Sequence, residues 1–105
     1  MDITNVRKPL TTFIQQLPEA IQVDKVIIFG SYMHGTATKD SDIDVIVVSD
    51  TFIDMDSDDR MNILYDAADH IEPPVHAWGL TNEELKKASR LTTWGDARLR
   101  GIRFT

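Results

Sequence analysis

Residues 29–48 read FGSYMHGTATKDSDIDVIVV, with Gly-Ser after one apolar run and Asp-Ile-Asp at the head of the next. The segments Val23 to Phe29 and Asp42 to Val48 are rich in β-branched residues, which predicts two buried strands. The connection between them, Tyr32–Ser41, is short and rich in Gly, Thr and Ser. This stretch therefore predicts two strands of one sheet joined by a short connection.

The two aspartates at the head of the second strand indicate a metal site. Asp42 and Asp44 stand two residues apart, and residues with that spacing on a strand point to the same face. Two carboxylates on one face repel each other unless a cation lies between them. Because oxygen-only ligation suits hard cations, the pair predicts Mg²⁺ or Mn²⁺. The simpler interpretation is that both acids only keep the start of a strand soluble.

The glycine and serine that end the first strand indicate a phosphate site. Gly30 would let a phosphate approach the backbone closely, and Ser31 adds a hydroxyl donor. If residues 31–37 begin a short helix, its free N–H groups would bind an anion. A phosphate cradle beside a metal pair predicts a site for a nucleoside triphosphate such as ATP.

Two other motifs share part of this spacing, and both fail on a required residue. Gly30 and Gly35 have the spacing of a Walker loop, but Thr36 stands where that loop needs lysine. A calcium EF-hand beginning at Asp40 would need glycine where Val45 stands and glutamate where the chain has threonine at position 51. Neither motif is present.

The remaining apolar residues predict helices around a small sheet. Helical spacing recurs in three stripes. They comprise Ile3, Val6, Leu10, Phe13, Ile14, Leu17 and Ile21; then Met61, Leu64, Tyr65, Ala68 and Ile71; and finally Leu85, Ala88 and Leu91, after a capping box at Thr81 and Glu84. Val75 to Leu80 predicts a third strand, and residues 101–104 predict a short edge strand. We therefore expect one α/β (α+β) domain over residues 1–105, with a small mixed sheet covered by helices.

Composition limits the classes of partner. The chain has 105 residues and a net charge of −6, so its surface repels polyanions on average. Arg98, Arg100 and Arg103 form only a loose basic group, which we interpret as a solvated helix end. There is no cysteine, and no apolar run approaches the length of a membrane span. We expect a soluble, cytoplasmic protein without a signal peptide, a membrane contact or general nucleic-acid binding.

The combination of Gly30-Ser31, a loop of about ten residues and Asp42-Ile43-Asp44 resembles the signature of the DNA-polymerase-β-like nucleotidyltransferase superfamily. The length of the chain and Gly35 in the loop are similar to its smallest branch, the minimal nucleotidyltransferases. The resemblance implies that Gly30 and Ser31 hold the nucleotide phosphates. It also implies that Asp42 and Asp44 bind two metal ions that assist in-line transfer of a nucleoside monophosphate from NTP.

The resemblance also implies a third carboxylate on the next strand, and there the sequence departs from the family. Counting back from the capping box at Thr81, that position is His76. Imidazole is a poor ligand for Mg²⁺ and a better one for Mn²⁺, Zn²⁺ or Ni²⁺. Glu72 is the nearest acid upstream, and His76 could equally be an ordinary half-buried strand residue. We expect His34 and His70 to be structural or exposed.

Two functions remain open at this stage. The first is transfer of a nucleotide, most simply AMP, to a protein partner; the resemblance implies a helical HEPN-type partner and a toxin–antitoxin pair. The second is a nucleotide-binding module that acts by binding its partner, because the site has decayed at His76. An aminoglycoside-type enzyme would normally need an added domain to build its acceptor pocket. A core this small also favours a homo- or hetero-oligomer.

Overall fold

Four strands form one sheet in the computed structural model, which describes residues 3–38 and 40–105. In chain order they are β1, Lys25–Phe29; β2, Ile43–Val48; β3, Val75–Leu80; and β4, Ile102–Arg103. The order across the sheet is β3-β2-β1-β4. Strand β1 pairs antiparallel with β2 and β4, whereas β2 pairs parallel with β3. The predicted mixed sheet and the predicted edge strand near the end of the chain are confirmed.

Helices surround the sheet in the described part of the chain. They are α1, Arg7–Gln16; α2, Ser31–His34; α3, Ser57–Ala67; α4, Asn82–Lys87; and α5, Thr93–Arg100. Single 3₁₀ segments add Ile3–Val6 before α1 and Asp50–Asp54 after β2. None of these described helices is long and apolar enough to cross a membrane.

The sheet is buried on both faces because its strands are apolar at odd and even positions alike. One face packs against α1 and α3 in a core that includes Val45, Val47 and Phe13. The opposite face, which carries Ile46 and Val48, packs against α4 and α5. Since side chains alternate along a strand, Asp44 belongs to the same face as Ile46 and Val48. Asp44 therefore lies on the face that α4 and α5 cover.

The first predicted stripe is confirmed along and beyond α1. Val6, Leu10, Phe13, Leu17 and Ile21 are buried and Ile14 is half-buried, whereas the side chain of Ile3 lies outside the described residues. Pro9 lies in the first turn, where its missing N–H has no helical acceptor to lose. The helix ends at Gln16, and Leu17 and Pro18 then lead out of it.

The second predicted stripe was wrong at two positions. Met61 and Tyr65 are 46% and 82% exposed, and α3 buries Arg60, Leu64 and Ala67 instead. The cause is Arg60, whose guanidinium points inward and donates to carbonyl oxygens. Its acceptors are the carbonyls of Phe52 at 2.6 Å, Met55 at 3.0 Å and Gly79 at 3.2 Å. A search for apolar residues at helical spacing does not include arginine. The predicted buried face of α3 was therefore turned away from the face that is buried in the structure.

The third predicted stripe was right at Leu85 but wrong beyond it, because it continued past the end of α4. The capping box of Thr81 and Glu84 is present, but α4 ends at Lys87 and Ala88 is already extended. Leu91 lies between α4 and α5 and is 89% exposed. A second cap, Thr92, then opens α5 by accepting a hydrogen bond from the backbone N–H of Gly95.

Candidate functional site

Three strands bring Gly30, Asp44 and His76 together at the end of the sheet where β1 ends and β2 and β3 begin. Because β1 runs antiparallel to β2, its last residue, Phe29, lies opposite Asp44. Because β3 runs parallel to β2, His76 lies opposite Asp44 on the other side. Gly30 follows Phe29 directly, so Gly30, Asp44 and His76 come together although 46 positions separate the first from the last. The sheet topology alone creates this convergence.

Gly30 occupies a backbone conformation that other residues rarely adopt. Its φ is 70° and its ψ is −142°, and it precedes the first residue of α2. A Cβ at this position would overlap Oδ2 of Asp44 and lie 3.1 Å from its Cγ. We expected such a Cβ to block an approaching phosphate, but its nearest neighbour is the carboxylate itself. Glycine is therefore required here both by its φ and by the proximity of Asp44.

The segment after Gly30 forms a shorter helix than the predicted 31–37. The N–H of His34 donates to the carbonyl of Gly30 at 3.0 Å, and Gly35 ends α2 in the left-handed conformation. A turn follows, in which Ser41 accepts from the N–H of Thr38 at 2.8 Å through its Oγ. This single helical turn places Ser31, which is half-buried, directly beside Gly30.

The two aspartates differ in exposure and influence each other. Asp42 lies just before β2 and is exposed, whereas the Asp44 side chain is only 27% exposed. Burial raises the pKa of the Asp44 carboxyl above its ordinary value; His76 opposes this rise and the charge of Asp42 adds to it. A negative charge on Asp44 is therefore costly, which a nearby cation would offset.

His76 lies opposite Asp44 in the strand register, and its assignment to the family's third-carboxylate position stays a prediction. Its Nδ1 is 3.9 Å from Oδ1 of Asp44, and its side chain is 57% exposed. Its ring packs on Trp78 with a centroid separation of 4.3 Å. The position counted from the sequence thus agrees with the strand register, while the role of His76 in binding or catalysis stays a prediction.

The other polar candidates lie away from Gly30, Asp44 and His76. Glu72 is exposed in the segment before β3, and no hydrogen bond or ion pair joins it to the aspartates among the residues described. His34 and His70 are exposed, as expected. Within the same residues, no group of three or more acids, histidines or cysteines is arranged to hold a metal. Asp42 and Asp44 stay the predicted acidic ligands.

Sequence reasoning missed an aromatic cluster on the face that carries Asp44. Phe29, Trp78 and Trp94 lie with ring centroids 5.5 to 5.8 Å apart. The spacing of two between His76 and Trp78 places both on one face of β3 and was a usable signal. Trp94 comes from α5, which was itself unpredicted. The cluster packs α5 against the sheet next to the proposed site.

Known proteins that resemble this chain include nucleotidyltransferases. The family model described as "Nucleotidyltransferase domain" matches residues 10–100. A candidate protein adenylyltransferase of Methanocaldococcus jannaschii is 36% identical over 52 residues, which are 48% of this chain and 52% of that protein. The chain thus covers about half the length of this curated relative.

A solved structure shows the same fold at low sequence identity. The crystal structure of a candidate nucleotidyltransferase from Sulfolobus solfataricus matches 96% of this chain and 80% of its own, with a TM-score of 0.70 and 20% identity. Together with a family model that spans most of the chain, this agrees with the minimal nucleotidyltransferase expected from Gly30-Ser31 and Asp42-Ile43-Asp44. The chain belongs to the nucleotidyltransferase domain family and has its DNA-polymerase-β-like fold.

Proposed function

We propose that the chain transfers a nucleoside monophosphate, AMP, from ATP to a protein. The observation that carries this proposal is the convergence of Gly30 and Ser31 with Asp42 and Asp44 at one edge of the sheet. The first two residues lie at the start of a helical turn, where backbone N–H groups lack acceptors within the helix. The last two supply the negative charge that a divalent cation would offset.

A pair of carboxylates fits Mg²⁺ or Mn²⁺ even without a third acid. Mg²⁺ in nucleotide sites is commonly held by one or two carboxylates, with substrate phosphates and water completing its six oxygen ligands. Asp42 and Asp44 would hold the ion, and the partial burial of Asp44 favours a cation over a bare carboxylate. The bound ion would supply neutralisation of the charge on the triphosphate.

The chain's own residues would position the triphosphate. Gly30 leaves space beside Asp44, and the hydroxyl of Ser31 can donate to a phosphate oxygen. An acceptor hydroxyl would then attack the α-phosphorus in line with the leaving group. The new oxygen–phosphorus bond forms as the bond to pyrophosphate breaks, and the hydroxyl proton passes to solvent. The products are an adenylylated acceptor and pyrophosphate.

A protein acceptor suits the charge of the chain. The net charge of −6 disfavours a polyanionic acceptor, and the partly matching archaeal relative is described as a candidate protein adenylyltransferase.

We extend the proposal to a helical HEPN-type partner, with this chain as the antitoxin of the pair. Exposed Leu91 and Leu99 offer apolar surface for such a contact. Co-expression with a helical protein encoded beside it, followed by size-exclusion chromatography, tests the pairing; a monomer that ignores that protein argues against it.

Labelled transfer tests the activity directly. The protein is incubated with ATP labelled at the α-phosphate, a divalent ion and its co-expressed partner, and covalent label is measured on denaturing gels. We expect label that EDTA abolishes and that Asp42→Asn with Asp44→Asn removes. ATP labelled at the γ-phosphate is the matched control, because nucleotidyl transfer leaves that label on pyrophosphate. Label from the γ-phosphate instead would indicate a kinase.

A binding module is the second candidate, and His76 beside Asp44 is the observation that favours it. Without a third carboxylate the site would hold nucleotide and metal but transfer poorly. In that case calorimetry detects metal-dependent ATP binding, and no covalent label appears on any protein. The partner complex would then form equally well with the double aspartate variant.

A further inference from the structure

A cleft of about 300 Å³ opens beside the aspartates on the side of β3. It lies between the C-terminal part of α3, the turn after that helix and the start of β3. Asp42 and His76 line it on the side of the sheet, which we call the inner wall, and Tyr65, Asp69 and His70 line it on the side of α3 and the following turn, which we call the rim. It therefore shares two residues with the proposed site and extends beyond it.

The strand order separates two binding regions, one on each side of the aspartates. The triphosphate is proposed to bind on the side of β1, and the acceptor on the side of β3. Strand β1 lies on one side of β2 and ends directly before Gly30, where the triphosphate is proposed to bind. Strand β3 lies on the other side and carries His76 into the cleft. In-line transfer needs the attacking group and the leaving group on opposite sides of the α-phosphorus. With pyrophosphate directed towards β1, the attacking group has to arrive from the cleft.

The residues that line the cleft are suited to a cation. The ring of Tyr65 is 82% exposed and unoccupied by any cation–π partner among the described residues. No lysine or arginine lines this described cleft, whereas Asp42 and Asp69 both do. Asp69 lies 3.2 Å from His70, but both side chains are largely exposed, so this pair is weak and can open. An incoming ammonium or guanidinium would meet a carboxylate and an aromatic face together.

We propose that this cleft binds the acceptor as a protein segment in which a hydroxyl side chain lies next to a lysine or arginine. The inference rests on the proposed transfer function, and it adds the chemical class of the acceptor. The basic side chain contacts Tyr65 and Asp69 at the rim, and the neighbouring hydroxyl reaches the inner wall at Asp42 and His76. Even when a metal offsets the charge of Asp42, the rim keeps the charge of Asp69.

Peptide binding tests the cleft independently of catalysis. Fluorescence anisotropy is measured for a labelled peptide with serine between arginines and for its counterpart with glutamates, in the presence of Mg²⁺ and a non-hydrolysable ATP analogue. We expect the basic peptide to bind at least roughly tenfold more tightly. Tyr65→Ala and Asp69→Asn should each weaken that binding roughly two- to fivefold, because a cation–π contact at an exposed site is small.

Matched variants on the same helix separate the cleft from general charge. Asp58→Asn removes an acid from the first turn of α3, and Met61→Ala truncates an exposed side chain one turn before Tyr65; neither residue lines the cleft. Both should bind the basic peptide like the wild type. Loss of affinity in Asp58→Asn equal to that in Asp69→Asn, or equal binding of the two peptides, would overturn the proposal.

The same peptides distinguish failure of this inference from failure of the transfer function. Label on the basic peptide that falls in Tyr65→Ala supports both. Peptide binding that depends on Tyr65 and Asp69 without any covalent label retains the cleft and rejects transfer. Label on peptides that is indifferent to both rim variants retains transfer and rejects the cleft. ATP binding, measured by calorimetry, should stay unchanged in both rim variants and confirms that they are folded.

Discussion

Gly30 and Asp44 are so close that a Cβ on the first would overlap Oδ2 of the second. The glycine of the Gly-Ser motif thus has a structural relation to the aspartate as well as the proposed relation to phosphate. The two halves of the motif are adjacent because β1 and β2 pair antiparallel. A change at position 30 should therefore act through the carboxylate before any nucleotide is present.

Replacement of Gly30 by alanine should displace the Asp44 carboxylate and abolish metal-dependent ATP binding. Gly35→Ala is the matched control, because Gly35 also has positive φ, at 74°, but a Cβ there would meet no atom within 4 Å. The control should lose about 1 kcal/mol of stability from backbone strain and keep binding. Gly30→Ala should lose more. Thermal melts and calorimetry with ATP and Mn²⁺ measure the two effects, and equal behaviour of the variants would contradict the carboxylate contact.

Asp44→Asn should separate stability from function. The pKa of Asp44 is raised chiefly by burial, so the folded state disfavours its ionised form. For an acid with a raised pKa, this penalty appears as the pH rises through its ordinary range and persists at neutral pH. We expect Asp44→Asn to melt at the same or a higher temperature than wild type at pH 7, and to lose metal-dependent ATP binding. A lower melting temperature at pH 7 would contradict the cost assigned to that charge.

The sequence predicted the strands better than the helices around them. Strand identity depended on local β-branched runs, which span only a few residues each. The spacing of Gly30, Ser31, Asp42 and Asp44 predicted which residues meet at the start of β2, and their roles stay predictions. The register that places His76 opposite Asp44 agrees with a count from the capping box, since β3 ends directly before Thr81.

The errors arose where tertiary contacts outweigh periodicity. Arg60 is buried because carbonyls from the 3₁₀ segment, from Met55 directly after it and from β3 accept hydrogen bonds from its guanidinium. No local sequence pattern predicts such contacts. Tyr65 fits an apolar stripe but borders the proposed acceptor cleft instead. The acceptor cleft depends on how α3 approaches β3, so its shape was not available from one-dimensional spacing.

Glu84 should make stability depend on acid pH. Burial alone would raise its pKa, but hydrogen bonds from Thr81 and Arg60 and the charge of Arg60 together lower it. A lowered pKa contributes stability above the ordinary value, and that contribution is lost as the pH falls through the folded value. Because the Glu84 side chain is 45% exposed, solvent screening weakens this contribution. Glu84→Gln should therefore be about 0.5 kcal/mol less stable at pH 7, and the difference should vanish in strong acid. Denaturant titrations at pH 7 and pH 3 measure it; a constant difference would contradict the ionic contribution.

Removal of Arg60 should cost more than removal of Glu84. Arg60→Met leaves the carbonyls of Phe52 and Met55 without their guanidinium donor inside the protein. The loss of a buried charged donor costs about 3 kcal/mol or more. Lys86→Met, on the exposed face of α4, is the control and should change stability by less than about 0.5 kcal/mol. Equal effects in urea unfolding would show that the Arg60 contacts contribute little.

His76 should make the choice of metal measurable. If His76 occupies the third-carboxylate position that the resemblance implies, the proposed site offers Mg²⁺ one oxygen ligand fewer, and Mn²⁺ tolerates nitrogen better. We expect slow transfer with Mg²⁺ and faster transfer with Mn²⁺. His76→Asp should raise the Mg²⁺-dependent rate by roughly a hundredfold, the usual scale for a catalytic group, whereas His76→Ala should not.

The His76 variants also decide whether Glu72 supplies the missing acid. His76 lies 3.9 Å from Asp44, while Glu72 is exposed before β3, so Glu72→Gln should leave the labelled-ATP transfer rate unchanged. Loss of transfer in Glu72→Gln together with indifference to His76→Asp would move the third ligand to Glu72. Because His76 also packs on Trp78, the Asp variant loses a ring contact and should melt slightly earlier. A higher transfer rate together with a lower melting temperature in His76→Asp would therefore point to the carboxylate itself. A general stabilisation of the fold would instead raise both the transfer rate and the melting temperature.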